Sequence, residues 1–403
     1  MTHGERFSRL HALLFSHRAL WAGLPFQSRD APWGDAFPGL AEALRALPDD
    51  EAERLQARPF EDSPLSAWLP VAELAELSAL PAYPAAPEYF PAAWGEGIGA
   101  RKWRQLQAFV RCLPANDGPL VEWCAGKGHL ARTLARRDGR SVEALEWQKA
   151  LCESGRALAE REGVAVRFHH QDVMSGAVAQ RLTPDTHVAA LHACGDLHGR
   201  LLEQATQQGA AVTLAPCCYQ RIESEIYRPF SRRARTLLGE QAPLTRDDLA
   251  MAVQETVTAP RGARRHRRRA NAWRLGFDLL QRDARGESAY LPVPSLAYGK
   301  LPADFAGFCR WAAAQKQVAL PAHVDWAAYE TAGWRRLKEV TRLELVRHLF
   351  RRPLEVWLAL DRVCFLEQAG YEVFLGVFCE RALTPRNLVI KARRSNPTPS
   401  GDG

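Results

Sequence analysis

Five short apolar segments between residues 119 and 216, each followed by residues of helical spacing, constrain the fold of this 403-residue chain more than any other feature. They are PLVEWC (119–124), SVEALE (141–146), VAVRFHH (164–170), THVAALHAC (186–194) and AAVTLAP (210–216). Between them lie stretches such as LARTLARR and QKALCESGRALAEREG, which read as helices. Apolar strands alternating with helices predict a parallel sheet covered on both faces, since parallel neighbours need a crossover connection. The expected class is α/β with a Rossmann-like sheet. Two later segments, YEVFLGVFC and NLVIKA, joined by ERALTPR, read as a closing β-hairpin over residues 370–394 that completes the sheet.

Helical pattern surrounds this core. Residues 1–95 read as a helical N-terminal domain, with Phe7, Leu10, Leu14 and Trp21 near helical spacing and Leu65, Leu69, Leu74, Leu77 and Leu80 continuing it. The Pro- and Gly-dense stretch PAYPAAPEYFPAAWGEGIG breaks helix and strand alike, so the core is set at 96–221, entered through a helix at 101–112. Residues 222–369 read as a long, mostly helical insertion before the last two strands. Within it Thr245 and Asp248 have capping-box spacing, and Pro353 and Gly370 are expected to stop two successive helices. The tail, 395–403, is expected to be disordered.

A hydrophobic content of 47% over this length suits a soluble protein with a large core and a satellite domain. The opening MTHGERFSRLHALLFSHRALW lacks the pattern of a secretory signal, and no run approaches the roughly 20 apolar residues of a membrane span, so a cytoplasmic location is expected. Nine cysteines without one C-x-x-C pair predict reduced thiols rather than a disulfide framework or zinc ribbon.

The first strand runs straight into Glu122-Trp123-Cys124-Ala125-Gly126-Lys127-Gly128 and then a helix. A phosphate-cradling P-loop needs Gly-Lys followed by Ser or Thr, but here Lys127 precedes Gly128 and His129. The dinucleotide fingerprint fits poorly too, with Cys124 in place of its first glycine. What remains is an acid at a strand end and a small-residue turn that lets a ligand approach the backbone. Glu146 ends the second strand, where a side chain can accept from ribose hydroxyls, and Asp172 follows the third, where it can accept from an adenine amino group. Taken singly, such acids serve as well to cap a helix or face solvent. As an ordered set of three they would repel a pyrophosphate and suit an adenosine ligand without one, which points to S-adenosylmethionine.

VEWCAGKGHLARTL, LHACGDLHGRLL, APCCYQRI and LTPRNLVIKA together resemble a class I S-adenosylmethionine-dependent methyltransferase. More narrowly, roughly half of the chain resembles the methyltransferase-domain family that includes the glutathione S-transferase C-terminal domain-containing protein and, more distantly, the tRNA 2′-O-methyltransferases of the acceptor stem. The resemblance implies that Glu122, Ala125, Gly126 and Gly128 surround the methionine part of the cofactor, Glu146 the ribose and Asp172 the adenine, with Arg101 and Lys102 bordering the site. Unlike the tRNA branch, this chain has no Cys before Cys112, and it reads Cys217-Cys218-Tyr219-Gln220 where that branch carries a Cys-Cys-His-His-like motif.

The ends of the fourth and fifth strands offer His192, Cys194 and Asp196, then Cys217, Cys218, Tyr219 and Arg221. Carboxyl ends of such strands form the ligand crevice, so His192, Asp196, Cys217 and Tyr219 are the candidate catalytic residues, and Cys194 borders the cofactor. His192 or Asp196 is expected to orient or deprotonate the acceptor. Methyl transfer from a sulfonium is an in-line displacement, in which positioning supplies most of the acceleration. Cys124, Cys194 and Cys217 suit crowded turns as small apolar residues; a cysteine nucleophile of the cytosine C5 type is the sharper alternative. A thiol-bound metal is not expected, because adjacent Cys217 and Cys218 can hardly place both sulfurs on one tetrahedral ion.

The formal charge is +7, and RGARRHRRRANAWR (261–274) holds seven Arg and no acid, so the remainder is neutral. Such a concentration is the footprint of a polyanion, and also of a merely solvated basic segment. RNA is the expected partner, through Arg261, Arg264, Arg265, Arg267, Arg268 and Arg269, with Trp273 and Phe277 available to stack on bases. A protein substrate, with translation proteins as the natural class, and a non-catalytic binding module are the rival readings.

Overall fold

In the computed structural model, which describes residues 1–115, 118–239, 241–254, 261–297 and 299–395, the sheet has seven strands in the order β3-β2-β1-β4-β5-β7-β6. They are β1 (Leu120–Trp123), β2 (Val142–Glu146), β3 (Val166–His170), β4 (His187–Cys194), β5 (Ala211–Cys217), β6 (Tyr371–Val377) and β7 (Leu388–Arg394). β1 to β5 pair in parallel, whereas β7 runs antiparallel to both β5 and β6. All seven strands lie where the apolar segments place them. β1 is buried throughout and β5 nearly so, as strands covered on both faces must be. Helices Ala100–Val110 and His129–Asp138 bring Leu106, Phe109, Leu130 and Leu134 into one apolar cluster with Val142, Phe168 and Val389. The strand order reverses between β1 and β4, the point at which a sheet of this kind opens a crevice at its carboxyl end.

The chain divides into two compact units that cut across the expected domain boundaries. One holds the sheet and comprises residues 1–13, 76–255 and 351–403; the other comprises 14–75 and 256–350. In the second unit, helix Arg261–Arg285 packs on helix Phe305–Lys316 through Trp273, Phe277, Leu280, Phe305 and Phe308. Trp273 and Phe277 are therefore core residues, the Trp273 indole N–H donating to Glu330, and neither is exposed to stack on a base. The Arg-rich run lies on the first three turns of this helix, with all six candidate arginines exposed.

Thr245 and Asp248 form the expected capping box at the start of helix Arg246–Val253. Pro353 does not stop a helix: one helix runs from Trp326 to Gln368 with the proline inside it. A mid-helix proline costs about 3 kcal/mol. The same stretch buries Leu349, Phe350, Leu354, Trp357 and Leu358 completely, each contributing roughly 1.5–3 kcal/mol, so burial outweighs the break. Of the expected tail, residues 396–403 lie outside the described residues.

β4 is irregular at its carboxyl end. Its pairing with β5 slips between Leu191 and Cys194, His192 takes a left-handed φ of 74°, and Cys194 then pairs with Cys217. Immediately afterwards Gly195, at φ 57°, approaches the loop beyond β5 so closely that a Cβ there would meet the Arg221 carbonyl oxygen at 1.7 Å. Gly195→Ala must both strain the backbone and push this loop away, a combined cost of about 2–4 kcal/mol. A urea denaturation midpoint lowered accordingly is the expected outcome, and an unchanged midpoint would refute this account of the turn.

Candidate active site

The carboxyl ends of β1, β2, β4 and β5 gather most of the residues singled out by the sequence. Backbone strain marks the place: of five non-glycine residues with positive φ among those described, Cys124 follows β1, His192 interrupts β4 and Cys218 follows β5. Residues held in such conformations concentrate where a ligand or reaction requires them.

Glu122 is buried, and its carboxylate accepts from the Ala131 amide at 2.8 Å, near the start of helix His129–Asp138. Burial pushes its pKa up to about 8, against the pull of that amide, Lys102 and Arg132. Glu146 closes the glycine turn, accepting from the Gly126 amide at 2.8 Å and from the Gln148 amide at 2.9 Å. A carboxylate has about four acceptor positions, so two remain for the hydroxyls of a ribose. Gly126 has φ 59°, and a Cβ added to it would meet nothing within 4 Å, so the turn borders open space. Asp172 is exposed after β3, holding the Met174 amide, while Val173 beside it is buried. Trp147, next to Glu146, leaves 66% of its surface exposed, an apolar face with no signal in the sequence beyond its place at a strand end. A buried acid, a second acid at the turn, open space beside glycine and an exposed indole fit the parts of S-adenosylmethionine: its ammonium, its hydroxyls and its adenine ring.

Arg101 and Lys102 divide their roles. Arg101 donates to the Leu383 carbonyl and ties its helix to the β6–β7 connection. Lys102 is exposed, and its charge acts on Glu122, His129 and His192. His192 opens to solvent, yet partial desolvation, Lys102 and Arg386 hold its imidazole below the ordinary value. It is thus neutral at pH 7, with a ring nitrogen free to accept a proton. Asp196 serves the loop beyond β5: its carboxylate accepts from the Glu223 amide at 2.7 Å, and its own amide donates to the Arg221 carbonyl.

Tyr219 is placed in the core rather than in the crevice. Its ring is fully buried, with the Arg362 guanidinium 4.8 Å from its centroid. This arginine was not legible as a site residue. It donates to His198 Nε2 at 2.8 Å and to the Tyr227 hydroxyl at 3.1 Å, while Asp361 accepts from that hydroxyl and from the Phe230 and Ser231 amides. His198 in turn is positioned to donate from Nδ1 to the Ala193 carbonyl inside the β4 irregularity. Burial and Arg362 keep its imidazole well below the ordinary value, so it stays neutral.

Cys194 and Cys217 come together as the strand pairing implies, their Sγ atoms 3.2 Å apart, and Cys218 joins them. Adjacency does not keep the two sulfurs of Cys217 and Cys218 from a common centre, contrary to expectation. Hydrogen bonds from Cys194 and Cys217, with Arg221 and Arg386 nearby, hold the Cys218 thiol below its ordinary value. Cys124 is the reverse, pushed up to about 12 by burial and by Glu146.

Lowering the Glu122 proton affinity is what a cationic ligand does, so cofactor binding below about pH 8 releases a proton. Affinity for S-adenosylhomocysteine, which keeps the ammonium, is expected to rise as pH climbs toward about 8 and then level off. Calorimetry across that range checks it; a Glu122→Gln variant with the same pH profile as the parent would sink the assignment. In the free protein the sign is opposite. A raised carboxyl pKa contributes stability below 4.5 that is lost as pH climbs to about 8.

Residues 101–225 match the model of a family described as a methyltransferase domain. No curated protein matches the chain. Among solved structures it is similar to a tRNA (uracil-54, C5)-methyltransferase of Pyrococcus abyssi in complex with S-adenosyl-L-homocysteine, at 17% identity over 28% of this chain and 28% of that one, TM-score 0.23. An RNA methyltransferase of Salinibacter ruber gives 19% identity over 36% and 86%, TM-score 0.23. The magnesium protoporphyrin IX methyltransferase of Synechocystis PCC 6803 gives 12% over 50% and 88%, TM-score 0.26. This chain spans under a third of the first of these proteins, and at such scores none of their substrates bears on it. Residues 101–225 thus match a methyltransferase-domain family over less than a third of the chain, and the seven-stranded sheet that holds them is Rossmann-like.

Proposed function

We propose that the chain transfers a methyl group from S-adenosylmethionine to RNA. The observation that carries the RNA half is the exposure of Arg261, Arg264, Arg265, Arg267, Arg268 and Arg269 on one helix that has no acid before Asp278. None of the six has an acidic partner among the described residues, so their charge is available to phosphates. Arg269 also lies over the Trp273 ring at 5.2 Å, which fixes that side chain rather than leaving it to range through solvent. Beside this face is a cavity of about 370 Å³ lined in part by His266, Arg267, Asn271 and Arg274, polar groups suited to a nucleotide.

The bound cofactor supplies an electrophilic methyl on a sulfonium. Glu122, Glu146 and Asp172 hold its three polar parts, and neutral His192 accepts the acceptor's proton or orients its lone pair. Asp196 supports the loop that carries Arg221 and so acts by position. The cytoplasmic location expected from the sequence belongs to this reading; among the described residues no helix is long and apolar enough to cross a membrane.

Replacing Arg264, Arg265, Arg267 and Arg268 together by Ala should weaken RNA binding and flatten the plot of log affinity against log salt by about 0.7 for each phosphate left without its arginine. Fluorescence anisotropy with a single-stranded RNA at several salt concentrations measures this. An unchanged slope would refute the RNA assignment and favour the protein substrate, which needs no basic face.

A further inference from the structure

Successive side chains on a strand point to opposite faces, so neighbouring cysteines ordinarily diverge. Here two local departures undo that rule. The slip in β4 pairs Cys194 with Cys217, and the left-handed φ of 46° at Cys218 turns the chain as β5 ends. The result is a triangle of three sulfurs, all within 4.8 Å of one another, with the Cys194–Cys217 edge at 3.2 Å. Cys217 is buried and the other two are half-buried, so the triangle is backed by protein and reachable from outside.

We propose that Cys194, Cys217 and Cys218 bind one Zn²⁺ through three thiolates, leaving its fourth position open to water or to a heteroatom of the methyl acceptor. A tetrahedral zinc with sulfur at about 2.3 Å sets sulfur–sulfur edges of about 3.8 Å, between the 3.2 Å of the Cys194–Cys217 edge and the 4.8 Å within which all three sulfurs lie. Three soft thiolates select zinc over the oxygen-seeking cations. Three protein ligands and one vacancy are the arrangement of a reactive zinc rather than a purely structural one. Binding leaves all three sulfurs as thiolates on the ion and releases to solvent whatever protons they carried. The site then carries a single net negative charge, with Arg221 and Arg386 near enough to act on Cys218 and balance it. The same ion explains why three thiols are held together at the carboxyl ends of two strands, where they would otherwise invite oxidation. The metal site itself is independent of the methyl-transfer reading; only the use of its open position rests on that reading.

The test uses the full chain purified with reductant and freed of loosely bound metal. Elemental analysis should find one zinc per chain, and exchange with Co²⁺ should give intense sulfur-to-cobalt charge-transfer absorption in the near ultraviolet. Cys218→Ser should lower zinc affinity by at least about tenfold, as loss of a ligand does, while Cys152→Ser, at a buried thiol in the helix after β2, leaves it unchanged. Cys217 is too deeply buried to be the deciding variant, so the wild-type spectrum and the half-buried Cys218 carry the test. Absence of charge-transfer absorption in the wild type, or zinc affinity untouched by Cys218→Ser, overturns the proposal. A Cys194–Cys217 disulfide with no metal bound by the reduced chain overturns it equally. Binding of S-adenosylhomocysteine in the same samples distinguishes failure of the zinc site from failure of the cofactor pocket.

Discussion

The close approach of the turn after β4 to the loop after β5 is the constraint on which the candidate site depends. There the Asp196 amide donates to the Arg221 carbonyl, and Gly195 has no room for a side chain. Because these backbones meet, Cys194 pairs with Cys217, His192 is turned outward and Asp196 reaches the Glu223 amide. The same approach is supported from beneath. Arg362, on helix Trp326–Gln368, joins His198 to Tyr227, and His198 reaches the Ala193 carbonyl. A positively charged side chain this deep is tolerable only with its donors satisfied, and His198, Tyr227 and the Leu358 carbonyl supply acceptors. The helix that carries it therefore contributes to the site without touching the crevice.

Electrostatics divides the crevice into two parts. Around β1 and β2 buried or turn-bound acids dominate, and their burial makes a cationic ligand welcome because it relieves the cost of an isolated buried charge. Around β4 and β5 the charges are positive: Lys102 and Arg386 add to desolvation in holding the His192 imidazole below its ordinary value, and Arg221 and Arg386 add to the hydrogen bonds from Cys194 and Cys217 that lower the Cys218 thiol. One side is prepared for a cation, and the other for electron-rich groups. That asymmetry suits a transfer from a positively charged donor to a nucleophilic acceptor, and the open space beside Gly126 is where such a donor could approach the backbone.

The sheet was legible because its strands are short apolar runs separated by helices, a pattern carried by neighbouring residues alone. The Thr245–Asp248 capping box was legible for the same reason. What the sequence hid was long-range. Pro353 reads locally as a stop, yet burial on both sides of it carries the helix through. Trp273 and Phe277 read as partners for bases because they follow the arginines, but the helix turns them toward Phe305 and Phe308. Tyr219 reads as a strand-end residue of the crevice, whereas the chain reversal at Cys218 is followed by its burial under Arg362. The gathering of three thiols depends on a bulge and one left-handed residue, neither of which has a spacing signature. Of the residues expected to hold the cofactor, Glu146 is hydrogen-bonded to Gly126, Glu122 to the Ala131 amide, and Asp172 stands exposed after β3.

The most direct measurement is transfer of labelled methyl from S-adenosylmethionine into an extract of cells lacking this protein, followed by separate nuclease and protease digestion. The account predicts label that nuclease removes and protease does not, and that is absent when Glu122→Ala replaces the wild type. Label that survives nuclease and is released by protease would contradict the RNA substrate, and no label in either fraction would contradict the methyl-transfer reading itself.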